Sequence, residues 1–164
     1  MKKLLLIIIG CMLFSGCDIA NTPTSKVEDY LGRYQRLDNS VSVSYTQLAG
    51  SNDVDKDERD RYQKLVEKQF KNLSYEVKEE VIDGNSAYVT VQIKVCNYGD
   101  IIENYDVIDY TDIDEYHDKI VKELEKQKEK IVYTITFELE LDKKDEWKVK
   151  EPSLEDKDKL LGIY

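Results

Sequence analysis

The sequence predicts an α+β fold, with amphipathic helices packed on one face of a curved antiparallel sheet of about four strands. Residues 87–96 and 131–141 alternate apolar and polar side chains, as half-buried strands do. Three other stretches place apolar residues at steps of three and four, which is typical of helices with one buried side. Their order predicts N-terminal helices, a hairpin, an inserted helix, a second hairpin and a short C-terminal helix.

The N-terminus has the pattern of a secretory signal peptide. Two lysines form a positive head, an apolar run covers residues 4–14, and Ser15 and Gly16 precede Cys17. Such a run is shorter than the roughly 20 residues that span a membrane, so a cleaved signal is favoured over a permanent helix. We expect residues 1–16 to be removed. The alternative is an uncleaved anchor or buried helix followed by an ordinary thiol.

The end of this signal resembles the bacterial lipobox, in which a peptidase cuts before a cysteine that carries a diacylglyceryl thioether. The matching residues are Phe14-Ser15-Gly16-Cys17. The resemblance implies cleavage between Gly16 and Cys17, lipidation of Cys17, and an extracytoplasmic protein anchored to the cell membrane. Residues 17–21 would be the lipidated N-terminus and tether. Each buried methylene contributes about 0.8 kcal/mol, so two acyl chains anchor stably where one does so marginally.

Residues 22–164 suit a single domain with its own core. The chain has 24 basic residues, two of them in the signal, and 34 acidic ones, which leaves the mature protein with a formal charge of −12. A surface this negative repels nucleic-acid phosphates and anionic lipid headgroups. We therefore expect no nucleic-acid partner, and membrane attachment through the lipid and not through a basic patch.

Cys96 is the only cysteine left once Cys11 is removed with the signal and Cys17 is acylated, so no internal disulfide is expected. A nucleophilic thiol needs a base, and the only histidine, His117, lies in a different segment. Cys96 is therefore interpreted as a small strand residue. Since no second histidine can complete a zinc set, His117 is expected to be a surface or boundary residue.

Acidic residues at alternate positions suggest the start of an EF-hand calcium loop. Asp53, Asp55 and Asp57 fit its beginning, but the sixth position holds Glu58 where glycine is needed. The twelfth position holds Lys64 where a bidentate glutamate is needed. These acids are better explained as helix-capping residues. We expect neither a metal nor a cofactor.

Two helices are predicted before the sheet. Thr22 can cap the first helix, and Pro23 suits its first position. Its apolar side comprises Val27, Tyr30, Leu31, Tyr34, Leu37 and Val41. Residues 42–51 are compatible with a strand or with more helix, and Gly50 ends either one. The second helix ends near Asn72, and its stripe comprises Tyr62, Leu65, Val66, Gln69, Phe70 and Leu73.

Two hairpins are predicted where the spacing of apolar residues changes from helical to alternating. A strand from Tyr75, with a slip in register near Glu80, leads into the turn signal Asp83-Gly84-Asn85. The next strand has one core face and one face that is wet or lines a cavity. The second hairpin turns at Lys143-Lys144-Asp145 and continues through Trp147 and Val149 to Pro152.

The remaining helices are inserted between the hairpins and added at the end. An acidic connection from Tyr98 to Asp112, broken at Gly99-Asp100, leads to the inserted helix. Its stripe comprises Ile113, Tyr116, Ile120, Val121 and Leu124, with His117 off that stripe. Ser153 and Asp156 form a capping-box-like start for the final helix.

These features together resemble a group of small lipoproteins of Gram-positive bacteria with an NTF2-like or cystatin-like fold. The resemblance rests on the lipobox, the helix at Thr22-Pro23, the helix 62–73, the Asp83-Gly84-Asn85 hairpin, the Trp147 strand and the closing Gly162-Ile163-Tyr164. It implies a cone whose concave sheet face and covering helices enclose a pocket. That fold hosts both isomerases and non-enzymatic binding modules, and no catalytic motif is carried over.

The leading hypothesis is a membrane-anchored, non-catalytic module that binds an unknown protein or small ligand. One alternative is an enzyme similar to the ketosteroid-isomerase branch, with a carboxylate base and a hydroxyl donor in an apolar cone. The other is a structural adaptor whose contact loop is the connection from Tyr98 to Tyr110. A closed core favours the adaptor and an open apolar cavity favours ligand binding. A cavity holding a carboxylate of raised pKa beside a tyrosine hydroxyl favours the enzyme.

Overall fold

The computed structural model describes residues 21–41, 44–52, 54–105 and 112–164. Within them lie six helices and one antiparallel sheet in the order β1-β2-β3-β4, so the predicted α+β class is confirmed. The elements are α1 Pro23–Arg36, α2 Thr46–Ala49, α3 Lys56–Lys71, β1 Ser74–Asp83, β2 Ser86–Cys96, α4 Gly99–Glu103, α5 Ile113–Lys126, β3 Lys130–Leu141, β4 Trp147–Val149 and α6 Leu154–Leu161. None of these helices is long and apolar enough to cross a membrane.

The first helix begins as its sequence predicts and ends earlier. The backbone N–H of Ser25 donates to Thr22 Oγ1, and that of Thr22 donates to Ser25 Oγ, each at 3.2 Å. The predicted continuation through Leu37 and Val41 is wrong. Leu37 adopts a left-handed conformation with φ of +53°, and its N–H donates to the carbonyl of Tyr34, which closes the helix.

Two later helices also have the predicted caps. Asp55 Oδ1 accepts the N–H of Glu58 at 2.8 Å at the start of α3, and Asn72 caps the other end. Ser153 Oγ accepts the N–H of Asp156 at 3.1 Å. These local hydrogen bonds satisfy amides that a helix leaves unpaired in its first turn.

The β1–β2 hairpin turns where the sequence indicates. Asp83 pairs with Ser86, and Gly84 occupies the first turn position with φ of +59°. The register shift lies between Val77 and Glu79, two residues before the predicted slip near Glu80. The second hairpin turns through Asp145, with φ of +57°, into β4.

One face of the sheet, here called the inner face, forms the core with the helices. Its central side chains are at most 2% exposed, and they are Ala87, Val89, Val91, Ile93, Val95, Ile135, Phe137 and Leu139. Helix α1 contacts this face through the edge-on rings of Tyr30 and Phe137, whose centroids are 5.8 Å apart. Helix α6 also contacts the sheet, α3 packs on α1 and α6, and α5 packs on α3. The predicted core face is confirmed.

The opposite face of the sheet, here called the outer face, is wet. Val81, Tyr88 and Val132 are 46%, 40% and 52% exposed. At its centre the hydroxyls of Thr90 and Thr136 lie 3.2 Å apart on paired strands. The outward side chains therefore line no closed cavity.

A buried glutamine joins α3 to the ends of β2 and α6, and we call this contact the Gln69 junction. Gln69 Oε1 accepts the N–H of Cys96 at 2.9 Å. Its Nε2 donates to the carbonyls of Cys96 and Leu161, at 2.9 and 2.7 Å. A Cβ atom on Gly162 would lie 2.0 Å from the Cys96 carbonyl, so only glycine allows this close approach. Cys96 is a buried strand residue, as predicted.

The start of the described chain is tied to the second hairpin. Asn21 Nδ2 donates to the carbonyl of Asp145 at 2.6 Å, and Asn21 Oδ1 accepts the N–H of Trp147 at 3.1 Å. The chain therefore enters the domain beside the β3–β4 turn.

The connection after β2 differs from its prediction. Gly99, read as a helix breaker, begins the short helix α4, because its N–H donates to the carbonyl of Gly162 at 2.7 Å. Tyr98 has no accessible surface, so it cannot belong to an exposed contact loop. Residues 106–110 of that proposed loop lie outside the described residues.

Candidate functional site

Three buried polar side chains lie near the N-terminal ends of α3 and α5. They are Glu58, Tyr62 and His117, which are 6%, 1% and 2% exposed, and we call them the His117 cluster. Glu58 and Tyr62 lie one turn apart on α3, so they occupy the same side of the helix. His117 comes from α5, which packs on α3.

The expectation that His117 lies at the surface or boundary is wrong. The buried side of α5 comprises His117, Ile120, Val121 and Leu124, whereas Ile113 is 49% exposed. The prediction ran the stripe through Ile113, and this rotated the helix away from its real packing side. A signal for the correct phase exists, because apolar residues follow His117 at three, four and seven positions.

His117 is held by a tyrosine hydroxyl. Tyr62 Oη lies 2.9 Å from His117 Nδ1, and the two rings meet edge-on with centroids 5.7 Å apart. Burial lowers the pKa of His117, against the opposing effect of the Asp114 and Asp55 carboxylates. Burial raises the pKa of Tyr62, so its hydroxyl keeps its proton and can donate to a neutral imidazole.

Glu58 is the unusual member of the cluster. Burial, and then the Asp55 and Asp114 carboxylates, raise the pKa of Glu58, while a backbone hydrogen bond from Asp55 opposes the shift. Its Oε2 atom is buried and has no hydrogen-bond partner in the described part of the chain. A carboxyl held toward its protonated form can store or transfer a proton, which is the chemistry that this cluster offers.

The sheet and α1 form a small surface cleft of about 230 Å³ elsewhere on the domain. It is lined by Lys26, Asp29, Tyr30, Arg33, Trp147, Lys148 and Val149. Arg33 pairs with Asp29 at 2.5 Å, and Lys148 pairs with Glu146 at 2.8 Å. Two of the three cations in this cleft are therefore already neutralised.

Two further clefts lie beside the β1–β2 strands and after α1. The second cleft is lined by Ser74, Tyr75, Glu76, Gln92, Ile93, Lys94 and Val132. The third is lined by Leu37, Asp38, Asn39, Val41, Gln63 and Glu67. None of the three clefts includes a member of the His117 cluster, so they offer a substrate no route to Glu58.

The residues expected to carry chemistry are not brought together. Cys96 lies at the Gln69 junction, whereas His117 lies in its own cluster with Tyr62. Across the described ranges, no group of three or more His, Cys, Asp or Glu side chains is arranged to hold a metal ion. Gly16 and Cys17 lie outside the described residues.

Comparisons with protein-family models, with curated proteins and with solved structures gave no match to this chain.

Proposed function

We propose that this protein is a lipoprotein anchored outside the cell membrane, and that its domain is a non-catalytic interaction module that binds through its surface. The anchor is proposed from the lipobox-like residues that end at Cys17. Its partner is another protein or a small ligand, and not a nucleic acid, because the chain is strongly acidic.

The observation that carries the non-catalytic proposal is the filled inner face of the sheet. Val89, Val91 and Ile93 have no accessible surface at all. A side chain without accessible surface touches neither solvent nor an internal void large enough for a water molecule. The NTF2-like resemblance predicted a pocket at this face, and its absence around these side chains favours binding at the outside of the domain.

The anchoring is tested by Cys17→Ser in the full chain. The expected result is loss of a radioactive fatty-acid label and accumulation of the unprocessed precursor. Cys11→Ser is the matched control, because it removes a thiol from the signal and leaves the proposed lipidation residue intact. Undiminished label in Cys17→Ser would refute the lipoprotein assignment.

One observation favours a second candidate, an enzyme that uses the His117 cluster. Glu58 has a raised pKa and lies one helical turn before Tyr62 on α3. A catalytic carboxyl must be reachable by substrate. Carbodiimide with a small amine, applied to the native protein near pH 5, would label Glu58 if the cluster opens. Labelling only after unfolding would assign the cluster a structural role.

A further inference from the structure

Among the described elements, strand β3 has no neighbour on one side over most of its length. β4 pairs only with Leu139, Glu140 and Leu141, and the N–H of Lys150 donates to the carbonyl of Glu138 at 2.9 Å. Between residues 131 and 137, the backbone groups that point away from β2 have no hydrogen-bond partner among the described residues. We call residues 131–137 the open edge of β3.

The open edge lacks the features that usually guard a free strand. Its sequence is Ile-Val-Tyr-Thr-Ile-Thr-Phe, without charge, proline or glycine. Monomeric proteins block free edges with charged residues, bulges, prolines or short strands. β1, at the other end of the sheet, has a bulge after Val77 and the charged run 78–80. This contrast indicates that another strand normally covers the open edge of β3.

We infer that the covering strand is β3 of a second copy of this chain. The two strands run antiparallel about a twofold axis through Thr134, perpendicular to the sheet. Thr134 then lies opposite the partner's Thr134, and Val132 lies opposite the partner's Thr136. Residues that face outward in one copy oppose residues that face outward in the other, so the two sheets join into one sheet of eight strands.

Charged residues at the two ends of the open edge support pairing with a second copy in this register. The Lys150 ammonium lies 2.6 Å from Glu138 and also contacts Glu140, so two carboxylates share one ammonium. Lys130 is exposed and makes no ion pair with any described residue. The twofold axis brings each Lys130 next to the partner's Glu138. The unpaired Lys130 ammonium can then pair with a carboxylate that otherwise shares Lys150 with Glu140, and this happens at both ends of the edge.

Neighbouring registers fit less well. An axis through Thr136 would place the second strand opposite residues 139–141, which β4 already occupies. An axis through Val132 would put Lys130 opposite the partner's Thr134 and leave Glu138 without the added cation. Thr134 is thus the centre that uses the whole open edge and pairs its charges.

The contact is small, and contacts that bury less than about 1,200 Å² are commonly transient. A shared membrane would raise the local concentration of the copies and favour the pair. The inference does not depend on that anchoring, since it rests on the open edge and on its flanking charges.

A cysteine cross-link in the full-length protein, kept in its membrane, tests the pairing. Opposed residues of an antiparallel pair have Cα atoms about 4.5–5.5 Å apart, within disulfide range. Thr134→Cys should therefore give a covalent dimer on a non-reducing gel after mild oxidation. Thr136→Cys is the matched control, because position 136 is on the same strand and is also exposed. The two copies of position 136 would be separated by four residues, about 13 Å along the strands.

Reversing the charges of Lys130 and Glu138 gives a second test of the pairing. In the Thr134→Cys background, Lys130→Glu should lower the dimer yield several-fold, and adding Glu138→Lys should restore it. Lys64→Glu, an exposed change of the same charge on α3, should have no effect. The wild-type chain sets the baseline, because it has three cysteines of its own.

Three results would overturn the inference. They are the absence of a dimer with Thr134→Cys, equal cross-linking of Thr136→Cys, and no recovery in the charge-swapped double variant. Hydrogen exchange distinguishes an open edge that is covered by another segment of the same chain from one that is covered by a second copy. The amides of Val132, Thr134 and Thr136 point away from β2, as the Glu138 carbonyl does, and they should exchange quickly in solubilised protein that has been diluted to monomers. Protection of these three amides in that monomer would also overturn the inference, because its own chain would then cover the edge.

Discussion

The Gln69 junction gives the sharpest test of what holds the C-terminal helix on the sheet. Gln69→Met keeps the side-chain length and removes the amide. The N–H of Cys96 and the carbonyl of Leu161 then lose their partner, whereas the carbonyl of Cys96 keeps the N–H of Tyr98 at 3.1 Å. Each buried group left unsatisfied costs about 1–3 kcal/mol, so the free energy of unfolding should fall by about 2–6 kcal/mol.

Urea unfolding of the mature chain, residues 17–164 with Cys17→Ser, measures this loss. This chain contains every described helix and strand, and Trp147 is its only tryptophan, so fluorescence reports on β4. Gln63→Met is the matched control on the same helix. Gln63 is only half-buried, and its 3.4 Å contact with Glu67 is local, so the control should cost less than about 0.5 kcal/mol. Equal losses in the two variants would refute the reasoning.

Three more predictions concern the hydrophobic core, the expected lack of a metal or a disulfide, and the buried Glu58 carboxyl. Phe137→Ala should lower the free energy of unfolding by on the order of 3 kcal/mol or more, because Phe137 is buried on the inner face. Thr136→Ala, on the exposed outer face, should lower it by well under about 1 kcal/mol. A larger loss for Thr136→Ala than for Phe137→Ala in urea unfolding would show that the core face has been assigned the wrong way round. Thermal melts should be the same with and without chelator and reductant, since we expect neither a metal nor a disulfide; a large drop with chelator would contradict this. Glu58→Gln should raise stability at pH 7 and lose this gain near pH 4, as measured by unfolding at both pH values. Burial raises the pKa of Glu58 in the folded protein above its unfolded value of about 4.5, so keeping this carboxyl ionised costs stability at pH 7 and not below about pH 4.5. The neutral glutamine removes that cost, so a variant that is less stable than the wild type at pH 7 would contradict the assignment.

Features specified by neighbouring residues could be predicted from the sequence. Thr22, Asp55 and Ser153 cap helices with hydrogen bonds that span three residues, so the local sequence suffices to identify them. The Gly84 turn is equally local. Strict alternation along β2 and β3 also identified the core face, because a strand with one buried face has a period of two.

Features that depend on distant parts of the chain were predicted poorly. The phase of α5 depends on how it packs against α3, so His117 was placed on the wrong side. Gly99 starts a helix because it bonds to Gly162, a contact that no local pattern encodes. Gln69 was placed correctly in a buried stripe, but its three hydrogen bonds join segments that are distant in sequence.

The tie between Asn21 and the β3–β4 turn sets how far an anchored domain could travel. Three residues separate Cys17 from Asn21, and four extended steps reach at most about 14 Å. In the proposed lipidated form, the β3–β4 turn would therefore stay beside the bilayer while the domain diffuses laterally with its lipid. Its search for a partner would be two-dimensional. A partner would have to be membrane-bound itself or reach down to the lipid surface.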